Sequence, residues 1–427
     1  MSNQLPASSL QPSPRRRSDL SRQSAAAAEA KAGRRILVRG VNWLGDAVMT
    51  TPALLRLREK YPDAHITLLG PEKLRDLWKH HPAVDETIFF TSGESVFAIA
   101  KKIRRWGERP REPLFEESQK TAPARADARP TGFDLALVLP NSPRAALEIF
   151  LAGIPQRVGY ARPWRNFFLT QAVAPRAAAV KMHKRTAAEI HQLVAADVNR
   201  RTNHAFTSAA ITAHHIHEYL NLAAALGANP EPLAPQLTVT PEEIEAAKRK
   251  FGLDKIPQPI FGLNPGAEYG PAKRWPVEKF IAAAKEIQRQ TNCVWFIFGG
   301  KNDVELAGRI ASGIHPPSSI LHPQNLAGKT TLRELMALLK LCRVLLTNDT
   351  GPMHVAAALG TPVVVPFGST SPELTGPGLP GDARNCLIKS DAPCAPCFLR
   401  ECPIDFRCMN GIGVERVVGA VLSAQGR

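Results

Sequence analysis

Residues 35–69 read RILVRGVNWLGDAVMTTPALLRLREKYPDAHITLL, and this stretch decides the fold. Ile36-Leu37-Val38 is a short apolar run of the kind that forms buried parallel strands. Apolar residues at helical spacing follow from Ala47 to Lys60, and His65–Leu69 resumes the strand pattern. A strand, a helix and a second strand in this order predict a βαβ unit with a parallel sheet and a right-handed crossover.

One residue is awkward in this pattern, because proline disrupts the interior of a helix. Pro52 stands inside the helical stretch. We expect either that Pro52 lies in a distorted first or second turn, or that the helix starts at Pro52 with Thr51 as its cap.

The same alternation continues along the chain in two sets. Further strands are predicted at 135–139, 260–263, 294–298, 344–347 and 362–366. Helices are predicted at 145–152, 211–226, 276–289 (with Pro276 at the first position), 303–310, 332–340 and 354–359. This pattern predicts an α/β protein with two Rossmann-like, doubly wound parallel sheets.

Length and composition predict two domains. A chain of 427 residues exceeds one ordinary core, and the Pro-rich stretch 229–235 is the predicted linker. We therefore expect an N-terminal domain at 35–235 and a C-terminal domain at 236–427. Residues 1–34 resemble a disordered basic arm, and the charged, aperiodic stretch 104–132 a flexible insertion.

The net charge of +16 favours an anionic partner such as membrane head groups or a phosphorylated substrate. A merely solvated basic surface explains the charge equally well. Aromatic residues make up 6% of the chain and no nucleic-acid module is present, which argues against a nucleic-acid partner. The N-terminus lacks the apolar core of a secretory signal, so we expect a cytoplasmic protein with reduced cysteines.

The loop Gly40–Asp46 follows the first predicted strand, where ligands of open parallel sheets bind. Gly40 and Gly45 allow close approach of a ligand to the backbone. Asp46, at the junction of loop and helix, points into a cleft or simply caps the helix. Position alone does not decide between these two roles. The loop lacks the GxGxxG spacing of a dinucleotide site.

Two further strand-to-helix junctions carry residues suited to phosphate. In the stretch 264–276, Lys273 and Arg274 precede a helix start, which predicts an anion site or else a solvated surface loop. In the stretch 347–360, Asp349 and Thr350 can cap a helix, and Gly351 permits close backbone approach. His354, one turn further on, is more often structural than catalytic in such a place.

A fourth junction carries two acids, Asp303 and Glu305, after the glycines at 299–300. Either acid can accept hydrogen bonds from ribose hydroxyls, and a solvated helix start explains both equally well.

Four of the seven cysteines fall within fifteen residues: Cys394, Cys397, Cys402 and Cys408. In a reduced compartment this spacing indicates a structural zinc site before a disulfide. An iron–sulfur cluster and free thiols remain alternatives.

Three of these stretches together resemble bacterial heptosyltransferases, which form glycosyltransferase family 9. They are GVNWLGDAVMTTPAL (40–54), NPGAEYGPAKRWP (264–276) and NDTGPMHVAAALGTP (348–362). The segments 140–144 and 152–160 add to the likeness, which extends from about residue 35 to about residue 425. The resemblance implies a GT-B architecture, with the two domains facing each other across a cleft.

The resemblance also implies an activity and its residues. The expected reaction is inverting transfer of heptose from ADP-heptose to the first heptose of the lipopolysaccharide inner core, a lipid-anchored acceptor. Other core positions acted on by the family remain alternatives. Asp46 matches the catalytic base and Lys273 the diphosphate-binding lysine. The remaining substrate contacts that the resemblance implies are Asn42, Gly45, Asp303 or Glu305, Asp349, Thr350, Gly351 and His354.

No catalytic metal is expected, since the sequence has no DxD motif and Lys273 supplies positive charge at the diphosphate. A lipid-anchored acceptor predicts peripheral contact with the cytoplasmic face of the inner membrane. The basic residues considered for this contact are Arg157, Arg162, Lys181, Lys184 and Arg185. Rival interpretations are a nucleotide-binding oxidoreductase and a non-catalytic nucleotide- or lipid-binding protein.

Overall fold

A computed structural model describes residues 34–108, 132–177, 179–180, 182–196, 212–314 and 322–426. Within these ranges the chain forms two parallel sheets of six strands each. The first sheet contains β1 (Arg35–Arg39), β2 (His65–Pro71), β3 (Glu86–Phe90), β4 (Leu135–Val138), β5 (Gln156–Tyr160) and β6 (Gln171–Val173). The second contains β7 (Ile260–Asn264), β8 (Val294–Ile297), β9 (Gln324–Asn325), β10 (Leu345–Thr347), β11 (Val363–Phe367) and β12 (Cys386–Lys389).

Helices cover both sheets and account for the burial of the strands. Those that accompany the first sheet are α1 (Leu44–Lys60), α2 (Val96–Gly107), α3 (Pro143–Leu151), α4 (Ala187–Ala196) and α5 (Ile216–Ala224). The later helices are α6 (Pro241–Phe251), α7 (Val277–Thr291), α8 (Val304–Ile314), α9 (Leu332–Leu341), α10 (Gly351–Ala358), α11 (Pro372–Thr375), α12 (Arg407–Asn410) and α13 (Val414–Ala424). All residues of β1 and β8 are buried, as expected for strands covered on both faces.

The two sheets have the same topology. The spatial order is β3-β2-β1-β4-β5-β6 in the first and β9-β8-β7-β10-β11-β12 in the second. Both are the Rossmann order, in which the winding reverses beside the first strand of the domain. The predicted α/β class with two doubly wound sheets is confirmed.

Pro52 lies inside α1, which runs unbroken from Leu44 to Lys60. The missing N–H of Pro52 would leave the carbonyl of Val48 without its helical donor. The hydroxyl of Thr51 donates to that carbonyl at 2.8 Å and replaces the lost hydrogen bond. The alternative in which Thr51 caps a helix beginning at Pro52 is therefore wrong. The first or second turn is wrong as well, because Pro52 is the ninth residue of α1 and lies in its third turn.

The apolar core continues from one domain into the other. One buried cluster joins Ile36 and Leu54 of the first domain to Met336 and Val355 of the second. The helices α1 and α10 pack directly against each other, and the 3-10 helix Glu72–Trp78 packs against α9. This shared core fixes the orientation of the two carboxyl edges on which the candidate site is built.

Several predicted boundaries shift. The helix predicted at 354–359 begins at Gly351, and Pro276 precedes α7 as its N-cap residue instead of occupying its first position. The insertion predicted from 104 starts later, because α2 continues to Gly107. The segments 1–33, 109–131 and 197–211, together with Lys181, lie outside the described residues. No helix of the described ranges is long and apolar enough to cross a membrane.

Candidate functional site

Three of the four loops selected from the sequence leave strands at the two points where the winding of the sheets reverses. The segment 40–43 follows β1, 265–276 follows β7, and 348–350 follows β10. Ligands of doubly wound sheets bind outside the carboxyl ends of strands at such reversal points. Topology alone therefore brings these three loops into ligand-binding positions.

The first turns of α1 and α10 touch each other across the domain interface. A Cβ added to Gly45 would lie 2.7 Å from Cδ2 of His354, and one added to Gly351 would lie 2.8 Å from Cδ2 of Leu44. Each glycine thus admits a side chain of the opposite domain where any larger residue would collide. The two carboxyl edges consequently face each other.

Asp46 lies in the first turn of α1, directly beside this contact. The N-cap position belongs to Trp43, and no side-chain cap bond forms there within the described residues. Asp46 is therefore not the cap that its position also allowed. Its pKa is raised, chiefly because burial disfavours the charged carboxylate. The positive charges of His215 and Lys273 oppose this shift, and Asp349 adds to it.

Lys273 and Asp349 form an ion pair between the loops after β7 and β10. Lys273 Nζ lies 2.7 Å from Asp349 Oδ2, and the Thr370 hydroxyl donates to the same oxygen at 2.6 Å. Asp349 is buried and Lys273 is largely so. A buried carboxylate needs such partners, and the pair holds one positive charge at the sheet edge.

Asn348 holds the same two loops together. Its Oδ1 accepts from the backbone N–H of Trp275 at 3.0 Å, and its Nδ2 donates to the carbonyl of Pro265 at 2.7 Å. Asn348 is fully buried, so both of its side-chain groups are used for structure. Asn348 therefore fixes the relative positions of the loops that carry Lys273 and Asp349.

The segment that contains the four clustered cysteines, 394–408, contacts the loop that carries Lys273. The hydroxyl of Tyr269 donates to the carbonyl of Phe398 at 2.9 Å, and the N–H of Phe398 donates to Ser369 at 2.7 Å. Lys273 Nζ and Arg400 Cζ lie 5.0 and 5.1 Å from the centre of the Tyr269 ring. Tyr269 and Arg400 thus join the site, although neither was assigned a role from the sequence.

His354 is buried at the domain contact. Burial lowers the pKa of His354 to about 4, so the ring is neutral at pH 7. Its Nδ1 has no hydrogen-bond partner among the described residues. A buried polar atom without a partner is uncommon and marks a place where a ligand or water completes the structure.

His215 is a site residue that sequence reasoning missed. It directly precedes α5, and its N–H donates to Leu374 across the domain interface at 3.0 Å. Burial lowers the pKa of His215, while the charge of Asp46 raises it. Sequence signals do not reveal this residue, because 169 positions separate it from Asp46.

Known proteins are similar to this chain. The family model for glycosyltransferase family 9 (heptosyltransferase) matches residues 172–406. The lipopolysaccharide heptosyltransferase 2 of Escherichia coli K12 is 31% identical over 350 residues, which are 80% of this chain and 85% of that protein. The chain belongs to glycosyltransferase family 9. The family resemblance predicted from the sequence is confirmed, and the oxidoreductase and non-catalytic alternatives are wrong.

Two more comparisons extend this result. The lipopolysaccharide heptosyltransferase 2 of Salmonella typhimurium is 32% identical over 345 residues, covering 80% of this glycosyltransferase and 85% of its relative. The solved structure of E. coli ADP-heptose lipopolysaccharide heptosyltransferase II matches with a TM-score of 0.68 and 26% identity. The match covers 92% of this chain and 98% of that one. The predicted GT-B architecture is confirmed.

The two acids proposed for the ribose occupy different places in this family 9 fold. Asp303 Oδ2 accepts from the N–H of Gly300 at 3.0 Å, and a Cβ on Gly266 would lie 2.5 Å from the same oxygen. Asp303 is therefore next to the loop that carries Lys273. Glu305 is exposed on the first turn of α8. Position favours Asp303 as the ribose contact, which stays a prediction.

Asn42 and Thr350 flank the contact between the domains. Asn42 is exposed, and its Oδ1 lies 3.4 Å from Nη1 of Arg39. Thr350 is the N-cap residue of α10, and no side-chain cap bond is present there among the described residues. Both side chains are therefore available to a ligand, and their substrate roles stay predictions.

The four clustered cysteines are free thiols in the structure. They lie close enough that charge on Cys394, Cys397 or Cys402 would raise the pKa of Cys408. Within the described ranges, however, no three His, Cys, Asp or Glu side chains are arranged to hold a metal ion. Zinc stays a prediction from spacing alone, and metal analysis of the purified chain tests it.

Proposed function

We propose that this family 9 glycosyltransferase transfers L-glycero-D-manno-heptose from ADP-heptose to the first heptose of the lipopolysaccharide inner core. The observation that carries the proposal is the meeting of Asp46 from one domain with the Lys273–Asp349 pair from the other. An inverting sugar transfer requires a carboxylate that accepts a proton and a cation that binds the diphosphate. Relatives named heptosyltransferase 2, matched over 80% of the chain, support this acceptor.

Asp46 is the proposed general base. Its carboxylate takes the proton of the acceptor hydroxyl as that oxygen bonds to the anomeric carbon from the side opposite the diphosphate. The bond between the anomeric carbon and the diphosphate oxygen breaks, and ADP leaves with the bonding electrons. A raised pKa makes the Asp46 carboxylate a stronger base than an ordinary surface aspartate.

Lys273 is the proposed partner of the departing diphosphate. Lys273 Nζ donates to Asp349 Oδ2 at 2.7 Å, and this ion pair holds Lys273 in place at the sheet edge. Negative charge that builds up on ADP in the transition state is stabilised by this cation and by the N-terminus of α10. The second cation on the Tyr269 ring, Arg400, lies on the same side of the domain.

The remaining contacts follow from position. Asp349, Thr350 and Gly351 end the loop after β10 and are proposed to bind the nucleotide sugar, together with the neutral ring of His354. Asp303 is proposed to bind the ribose. Asn42 and Gly45 lie on the side of the acceptor domain and are proposed to contact the substrate there. We propose that turnover needs no divalent metal, because Lys273 supplies positive charge at the proposed diphosphate site.

The acceptor in this proposal is anchored in a lipid, which requires the enzyme to work at a membrane surface. We therefore propose peripheral contact with the cytoplasmic face of the inner membrane and no nucleic-acid partner. The charge of +16 supports attraction to anionic head groups.

One assay tests the reaction. ADP release from ADP-heptose is measured with two core acceptors that differ only in carrying no heptose or one heptose. The acceptor with one heptose should be used at least tenfold faster in kcat/KM. Preference for the acceptor without heptose would assign transfer of the first heptose instead. Release that does not depend on either acceptor would refute the proposal.

Two controls accompany this assay. Asp46→Asn should bind ADP-heptose with nearly unchanged affinity and lose turnover, which separates transfer from contaminating hydrolysis. Addition of EDTA should leave the rate unchanged, and loss of activity that Mg²⁺ restores would contradict the metal-free mechanism.

A further inference from the structure

One side of the N-terminal domain carries mostly positive charge. Residues 149–188 contain seven Lys and Arg and no Asp or Glu in 40 positions. Helix α2 adds four basic residues and no acidic one. The one acid of α3, Glu148, is fully buried and bonded to Arg39 and Arg144. Lys102 and Arg176 are paired with Glu94 and Glu218. The remaining exposed cations give this side of the domain an excess of positive charge.

Large aromatic side chains stand exposed on the same side. The exposed fractions are 90% for Trp164, 80% for Phe167 and 73% for Phe97. Phe150, Phe167 and Phe168 pack on one another with ring centres 5.5 to 6.0 Å apart. Clustered exposed aromatics are uncommon on a monomer and mark a contact surface.

The backbone of Trp164 adopts a conformation that is unfavourable for a bulky residue. Its φ of 63° lies in the left-handed region, which bulky residues rarely adopt. The next residue, Arg165, is fully buried, and its Nη1 donates to the carbonyl of Pro140 at 2.8 Å. Arg165 anchors the loop to the sheet while Trp164 points outward, so core packing does not account for the tryptophan.

Basic and aromatic residues form one continuous surface here. Arg157 lies over the Phe150 ring at 5.4 Å, and its Nε donates to the carbonyl of Phe168 at 2.7 Å. Arg104 of α2 donates to the carbonyl of Leu151 at the end of α3, which joins the two helices. We call this surface the aromatic-basic face. It comprises Phe97, Lys101, Arg104, Arg105, Phe150, Arg157, Arg162, Trp164 and Phe167.

We infer that the aromatic-basic face docks on an anionic lipid bilayer, with Trp164 and Phe167 entering the interface and the cations contacting head groups. A symmetric contact with a second copy would place positive charge against positive charge, so a second copy is disfavoured. Aromatic rings at the interface and cations at anionic head groups are the two interactions by which peripheral proteins hold membranes. The inference rests on the lipid-anchored acceptor of the proposed function and assigns the surface that reaches it.

Vesicle binding of the full chain tests the inference without substrate. Sedimentation is measured with vesicles of phosphatidylglycerol and phosphatidylethanolamine, and with neutral phosphatidylcholine vesicles. The double variant Trp164→Ala/Phe167→Ala should bind the anionic vesicles more weakly by on the order of tenfold. The double variant Lys101→Gln/Arg105→Gln should lose about fivefold per charge, and the loss should shrink at high salt.

Matched controls come from the other domain. Lys285→Gln/Arg289→Gln removes two exposed cations with the same helical spacing from α7, and Val304→Ser removes an exposed apolar residue from α8. Both should bind like the parent. If the α7 variant loses as much affinity as the α2 variant, general charge and not this face holds the membrane. If the aromatic variant binds like the parent, the face binds polyanions through its charge alone, and the inference is overturned.

A further variant guards against loss of folding. Trp164→Gly relieves the left-handed backbone, so its thermal midpoint should equal or exceed that of the parent while vesicle binding falls. Unchanged vesicle binding by this variant would contradict the inference.

An activity comparison separates this inference from the proposed function. With a water-soluble acceptor lacking acyl chains, the Trp164→Ala/Phe167→Ala variant should turn over like the parent. With acceptor embedded in vesicles, its KM should rise on the order of tenfold. Lack of turnover by the parent with both acceptors would refute the proposed function and leave the vesicle result standing. Equal kinetics of parent and variant with embedded acceptor would refute the docking surface alone.

Discussion

The ring of His354 occupies the space in which a side chain at position 45 would stand. A Cβ on Gly45 would come within 2.7 Å of Cδ2 and 3.0 Å of Nε2 of this ring. Because Asp46 is the next residue, the same contact sets the distance between the proposed base and the domain that carries Lys273. A change at Gly45 therefore tests whether closure of the two domains matters for turnover.

Gly45→Ala should lower kcat/KM at least tenfold, because the methyl group pushes α10 away from α1. Alanine is the better helix former, so a loss of activity cannot come from helix propensity. The control is Gly419→Ala, where an added Cβ meets no atom within 4 Å. Steady-state kinetics of both variants decide the matter, and a Gly45→Ala enzyme with parental kcat/KM would show that close contact is not needed.

Asp46→Asn should reduce turnover roughly a hundredfold or more, since the amide cannot accept the proton. The same change should raise the thermal midpoint near neutral pH. The raised pKa means that folding favours the protonated acid, so this contribution to stability is present at low pH and is lost as pH rises through the folded-state pKa. Calorimetry and kinetics on one preparation test both effects. Loss of activity with a lower midpoint would indicate structural damage instead.

In the parent enzyme, kcat/KM should fall as pH is lowered through the pKa of Asp46, which lies above the ordinary value of 3.8. The Asp46→Asn variant should lack this acidic limb. An unchanged limb in the residual activity of the variant would assign the titration to another group.

Two ion pairs of equal length but different burial should contribute differently to the free energy of unfolding. Lys273→Met leaves the buried Asp349 with the Thr370 hydroxyl as its remaining partner, and should reduce the free energy of unfolding by about 3 kcal/mol. Asp349→Asn in the same chain should recover part of this loss. Lys250 and Glu334 also approach to 2.7 Å but lie at the surface, so Lys250→Met should cost less than about 1 kcal/mol. Urea unfolding measures all three variants.

The Lys273→Met variant should also raise the KM for ADP-heptose and lower kcat, whereas Lys250→Met should change neither. A variant that loses stability but keeps both kinetic constants would make the Lys273–Asp349 pair structural only.

Acid should destabilise the fold between about pH 6.5 and 4, through buried histidines. Burial lowers the pKa of His81 and His354 to about 4 and that of His214 to about 3. Below pH 6.5 the unfolded chain takes up these protons and the folded chain does not, so stability present above pH 6.5 is lost as pH falls. His81→Gln should reduce the slope of the thermal midpoint against pH, and a change at the exposed His191, His191→Gln, should not. Equal slopes in the parent and both variants would contradict this origin.

The sequence predicted the parts of this protein that depend on neighbours along the chain. Periodicity indicated strands and helices, and their alternation predicted two parallel sheets in which the loops after β1, β7 and β10 meet ligands. The predicted end of α2 and the predicted start of α10 were wrong. The sequence also did not predict that α1 continues unbroken through Pro52. Side chains decide such points: the Thr51 hydroxyl keeps α1 intact by replacing a hydrogen bond that no periodicity reveals.

What only the tertiary structure decided is how distant residues share one place. Asp46 and His215 influence each other across most of a domain, Lys273 pairs with Asp349 across 76 positions, and Gly45 faces His354 across the interface. The Asp303 carboxylate lies beside the donor loop, while Glu305, two residues later, is exposed. Secondary structure follows from local steric and hydrogen-bonding preferences that a sequence expresses directly. The charge and distance relations of a site arise from the packing of two sheets, and burial that changes a pKa exists only once that packing has formed.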